Sequence, residues 1–127
     1  MDEEIALMEE DNEEIMGATW DQIECAIKRM NGYDRSLVML RRGPSHMGIG
    51  GGLNSRFVVY VTSDNLHHQT AVNPLAPADE MIEMVCGGQP TEKEGRLCVD
   101  AGAALAAAKE FAGRGKLAET VTWESDD

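Results

Sequence analysis

The chain has 127 residues, 43% of them hydrophobic and 27% charged, with 23 acids against 11 bases and a formal charge of −12. A chain of this length forms one domain that buries roughly two-thirds of its unfolded surface without help from a metal or disulfide, and no run of about 18 apolar residues is present to span a membrane. The sign of the charge argues against direct binding to nucleic acid or an anionic membrane, which takes clustered Lys and Arg, and favours a basic partner.

The excess of acid sits at the front. The first 14 residues hold eight acids (Asp2, Glu3, Glu4, Glu9, Glu10, Asp11, Glu13, Glu14) and no base, which leaves a net −4 for the remainder. Ile5, Leu7, Met8, Ile15 and Met16 interrupt the acids without a clean period. Residues 2–16 are therefore open between a helix and an irregular arm. Like charges four apart, Glu9 with Glu13 and Glu10 with Glu14, disfavour an isolated helix by about 0.3 kcal/mol per pair. The division read from this is an acidic arm over 1–18 and a single domain over 19–127. An acidic start lacks the basic and apolar segments of a secretory signal, so the cytoplasm is the expected compartment. Cys25, Cys86 and Cys98 are odd in number and lack metal-ligand spacing, which suits reduced structural thiols.

From Thr19 the pattern sharpens. Thr19 and Gln22 make a capping box, and Trp20, Ile23, Ile27 and Met30 share one face of a helix that Asn31-Gly32 ends. SLVMLRR is apolar at four successive positions, as in a strand covered on both faces. SHMGIGGGLNSRFVVYVT reads as a short strand, a glycine-rich turn and a longer strand with Phe57, Val59 and Val61 on one side. Gly48, Gly50, Gly51 and Gly52 suggest a phosphate loop only superficially, because such loops open a helix and the sequel here is β-branched; a sharp turn or bulge is the expectation. Residues 63–78 form a polar, proline-containing connection. His67 and His68 within it point to opposite faces if extended, and with His46 remote in sequence they do not make a zinc-type set.

MIEMVC and GRLCV read as two strands meeting at a GGQP turn, because Gln89-Pro90 cannot continue a central strand. Asp100 caps a helix whose face carries Ala101, Ala104, Leu105, Ala108, Phe111 and Ala112. Lys109, Arg114 and Lys116 suit its negative end, Gly113 and Gly115 let the chain turn out, and Trp123 anchors the close.

This succession of strand, GGQP turn, strand, VD, alanine-rich helix ending EFAGRGKL and closing VTW resembles the first family of immunity proteins of bacterial polymorphic toxin systems. TWDQIECAIKRMNG is similar to that family's opening helix, SLVMLRR to its first strand, and HMGIGGG with RFVVYVT to the next two, so the resemblance spans about residues 19–123. It carries no catalytic motif. It implies a protein that binds a cognate toxin, one to one, and protects its producer; the toxins of such systems often have the nucleic-acid deaminase fold.

Beside the resemblance, the residues offer no reactive set. Cys86 with a histidine is the best nucleophile and base, but it lies at a strand end in an apolar run. Glu92 and Glu94 fall in a turn beside Lys93 and face water. No catalytic residue, metal or cofactor is assigned, and a binding protein is the expectation. The alternatives are an acidic adaptor for another basic partner, or a small enzyme. The fold expected is α+β, an antiparallel sheet of about four or five strands with an N-terminal and a C-terminal helix on one face. The partner-binding residues expected are the acids Glu9, Glu10, Asp11, Glu13 and Glu14 and the loop with Asp64, His67 and His68.

Overall fold

A computed structural model describes residues 5–9, 14–64, 66–76 and 79–125. The elements in order are β1 (Ile5–Glu9), α1 (Trp20–Lys28), β2 (Leu37–Arg42), β3 (Ser45–Gly51), β4 (Phe57–Thr62), β5 (His68–Val72), β6 (Met81–Cys86), β7 (Gln89–Glu94), α2 (Ala101–Arg114) and β8 (Thr122–Ser125). Six strands make one antiparallel sheet in the order β1-β2-β3-β4-β5-β8, and β6 and β7 make a separate two-stranded ribbon. The α+β expectation holds, with more strands than the sequence suggested. No helix among the described residues is long and apolar enough to cross a membrane.

Both helices begin as their sequences dictate. Thr19 Oγ1 accepts the Gln22 amide at 3.2 Å while Gln22 Oε1 accepts the Thr19 amide at 2.8 Å, so two orphan amides are satisfied reciprocally. Asp100 accepts the Ala103 amide at 2.9 Å, and Gly115 closes α2 in the left-handed conformation with its N–H on the Phe111 carbonyl. A second cap comes from the sheet: Arg42 at the end of β2 donates to the Ala112 carbonyl at 2.9 Å. The sequence had shown Arg42 only as the end of a strand.

Alternation along the strands sends Leu7, Val38, Leu40, Met47, Ile49, Val59 and Ala71 to one face, where they meet Ile23 and Ile27 of α1 and Ala104, Ala107, Ala108 and Phe111 of α2 in one continuous core. The alanines let α2 lie close to the sheet. Trp20 and Trp123 seal the edges half-buried; Lys109 Nζ sits 5.8 Å from the Trp20 ring centroid, and Trp123 Nε1 donates to the Ala118 carbonyl at 3.0 Å.

Several local expectations need correction. Residues Ile5–Glu9 are neither helical nor irregular: they pair with β2, because Ile5 and Leu7 alternate onto the core face while Ala6 and Met8 take the other. The chain then doubles back, and Ile15 exchanges two hydrogen bonds with Leu7 along the outer edge of β1. Strand β2 is not equally covered on both faces, since Val38 and Leu40 are buried and Leu37 and Met39 only half so. The glycines up to Gly51 lie inside β3, with only Gly52 beyond it, and His68–Val72 of the supposed connection is a strand. The strand after the Gly87-Gly88 turn is QPTEKE rather than GRLCV: in a two-stranded ribbon Pro90 can be accommodated, while Gly95–Leu97 form a 3-10 turn and Val99 only bridges Phe57. Glu92 and Glu94 accordingly lie on β7, outside any turn.

The ribbon rests on the sheet face opposite the helices. A Cβ at Gly50 would come within 2.9 Å of Cys86 Sγ, so only glycine permits the approach. Buried Ser36 ties the two layers: its carbonyl accepts the amides of Gly51 and Gly87, and its hydroxyl accepts that of Gly88.

Candidate partner-binding face

The helices occupy one face of the sheet and the ribbon covers one end of the other. What is left of that second face is set by strand register. One row runs Ala6–Arg41–His46–Thr62–His68 across five strands, and the next runs Met8–Met39–Gly48–Tyr60–Thr70–Glu124 across six. Met8, Met39, His46, Tyr60, His68 and Thr70 are all half-exposed.

Tyr60 is the centre of this surface. A Cβ at Gly48 would collide with Cε1, Cζ and the hydroxyl of Tyr60, so the ring lies down over β3 and its hydroxyl points at Met39 Sδ, 3.9 Å away. The His46 and His68 rings stand edgewise on either side, with centroids 6.2 and 5.6 Å from that of Tyr60. Partial burial pushes the Tyr60 phenol up, which keeps it neutral. Beside it a depression of about 200 Å³ is lined by Ala6, Met8, Met39, His46, Arg41 and Glu14. Polarizable thioethers and an aromatic ring make a surface that can adapt to an apolar side chain.

Those residues expected from sequence that the structure describes fall into three groups. Glu14 lies at the β1 rim of this face, 2.7 Å from Arg41. Asp64, His67 and His68 lie together at the opposite corner, where the Asp64 carboxylate accepts the amides of Leu66 and His67 at 2.8 Å and meets His67 Nδ1 at 2.8 Å. Those hydrogen bonds, led by the one from the His67 ring, hold Asp64 well below the usual carboxylate range. Glu9 points the other way, toward the helices: both its oxygens meet Arg29, at 2.8 and 2.7 Å, and Arg35 approaches to 3.8 Å. Its charge is neutralised within the molecule, which makes it a tie between β1 and α1. Glu10, Asp11 and Glu13 lie outside the described residues.

Sequence reasoning passed over Tyr60, Met39, Met8 and Gly48. The signal was available for Tyr60, since Phe57, Val59 and Val61 on one side of β4 place it on the other. Nothing in the sequence indicated that Gly48 sits beneath its ring.

Two other hollows among the described residues are less suited to a ligand. At the start of α2, hollows share Asn73, Leu75, Val99 and Asp100, but the first turn is already capped by Asp100 and by Ser55, whose hydroxyl accepts the Ala101 amide at 3.3 Å. Among the described residues no three His, Cys, Asp or Glu side chains gather as metal ligands would. Burial raises the thiol pKa of Cys86 and Cys98, away from the thiolate that nucleophilic chemistry needs.

The sequence profile of the family described as immunity protein Imm1 matches residues 11–125. No match is found among curated proteins. Because the matched span takes in both helices, strands β2 to β8 and all of the open face except Ala6 and Met8, the chain belongs to the Imm1 family and is an immunity protein, whose partner is a cognate toxin.

Proposed function

We propose that the toxin acts on nucleic acid, has the deaminase fold that the family resemblance implies, and is silenced in the cytoplasm by a one-to-one complex that occludes its active site. The observation that carries this reading is the charge, −12 overall with eight acids in the first 14 residues. An enzyme that works on DNA or RNA must present a basic cleft to the phosphate backbone, and an acidic protein can fill that cleft in its place. Charge supplies the association rate and the choice of partner. Affinity comes from a few buried anchors within an interface of roughly 1,600 Å² in total.

The test is to express the chain with the toxin domain encoded beside its gene. Survival of the host and co-purification of the pair support the reading, together with an association rate that falls as salt is raised. No protection and no complex would refute immunity toward that toxin. A tight complex with a toxin domain of acidic surface and salt-independent association would refute the electrostatic mechanism while leaving immunity intact.

A further inference from the structure

We infer that the toxin docks on the open sheet face, with Tyr60, Met39 and Met8 at the centre of the contact and Glu14, Asp64 and His67 at its rim. This assignment rests on the immunity reading above and adds to it the surface that does the work. The face is preorganised: Gly48 leaves the space in which the Tyr60 ring lies, Met39 meets its hydroxyl, and two imidazoles hold its edges. A side chain already fixed before binding loses little conformational freedom on association, and tyrosine offers a large contact area for few rotatable bonds.

Size extends the contact to the rim. Strands about 4.8 Å apart and two open rows about 7 Å apart give a projected patch of roughly 300 Å² across five strands, whereas a standard interface takes about 800 Å² from each partner. A docked protein must therefore reach past the central rows onto the charged edges. There, among the described residues, two arginines are already paired, Arg41 with Glu14 at 2.7 Å and Arg96 with Glu124 at 2.7 Å, and Asp64 adds a further carboxylate to a chain whose net charge is −12. That net charge selects a basic partner. It also argues against a second copy of this chain, because a symmetric face-to-face dimer would set two proteins of charge −12 with their acidic rims opposed.

The experiment measures binding of the purified toxin domain encoded by the neighbouring gene to four proteins: wild type, Thr70→Arg, Tyr60→Ala and Gly113→Arg. Thr70 stands between Tyr60 and Glu124 on the open face, so its replacement puts a cation where a basic partner would land, with a carboxylate nearby to steady the fold. Gly113 is an exposed position of α2 where a Cβ meets nothing within 4 Å, and the same cation there is the control. Thr70→Arg and Tyr60→Ala should each weaken binding by about thirtyfold or more, with Gly113→Arg within about threefold of wild type. Folded Thr70→Arg and Tyr60→Ala proteins that bind like wild type would overturn the docking face while the immunity reading stands; a wild type that neither binds nor protects would overturn the reading itself. Should either variant fail to fold, wild type decides: in the complex, peroxide oxidation of Met8 and Met39 should slow at least fivefold relative to exposed Met81 on the ribbon, and unchanged oxidation of all three overturns the assignment.

Discussion

The two faces of the six-stranded sheet are built by the same strands, residue by alternate residue, yet they meet different neighbours. On the helix side Leu40, Met47, Ile49 and Val59 are fully buried under Ile27, Ala107 and Phe111. On the other side Met39, Tyr60 and Thr70 remain half-exposed beside a ribbon that covers only the Gly50 end. The four successive apolar residues Leu37 to Leu40 made β2 look equally deep on both faces in the sequence. The difference teaches that apolar character alone does not separate a side chain that folds a protein from one that can meet a partner; what packs over it does.

The comparison breaks first at its most buried point. Phe111→Ala should destabilise by about 3 to 5 kcal/mol, and Trp20→Ala, half-buried at the margin of the same core, by about 2 kcal/mol, both read from denaturant unfolding. Equal losses would erase the distinction between core and margin. Ala107 tests the close approach of α2: Ala107→Leu should cost about 1 to 3 kcal/mol through overpacking, and an unchanged melting curve would mean that the helix can lift from the sheet freely.

On the open face the balance should reverse. Gly48→Ala forces only the tip of Tyr60 to move, and that tip can rotate toward solvent. Stability should fall by less than about 1 kcal/mol, while toxin affinity drops about tenfold. A large loss of stability with intact binding would place Tyr60 with the core.

The smallest effect concerns the rim. Asp64 has its folded pKa held below the ordinary value, so its stabilising contribution is complete above about pH 4 and is lost as pH falls further, through the folded value. Asp64→Asn should therefore lower stability slightly in the neutral range, where the ionised carboxylate contributes, and flatten the acid limb below about pH 4, where variant and wild type converge; an unaltered acid limb would show that the hydrogen bonds from Leu66 and His67 do not favour the carboxylate.

How much could be read in advance varies with the range of the interaction. The capping box at Thr19, the Asp100 cap, the Gly115 exit and the apolar faces of both helices were legible because each depends on residues within one or two turns. Most of the candidate site was not. Arg41 and Glu14 are 27 positions apart, and Tyr60 and Met39 are 21 apart. His68 joined them only once β5 paired with β4. The acids split for the same reason: Glu9 and Glu14 are alike in composition, yet strand parity turns Glu9 toward Arg29 and the doubling-back of the chain brings Glu14 to Arg41.

The sequence by itself determined the α+β class, the two helices with their N-caps and the Gly115 exit, the acidic character and the resemblance that the family match then established, since these follow from local periodicity, short-range hydrogen bonds and composition. Tertiary structure alone decided that residues 5–9 complete the sheet, that the glycines of β3 seat Cys86 and Tyr60 rather than make a turn, and which face the ribbon leaves open. Those outcomes depend on register between strands distant in sequence, where a shift of one residue would exchange the two faces.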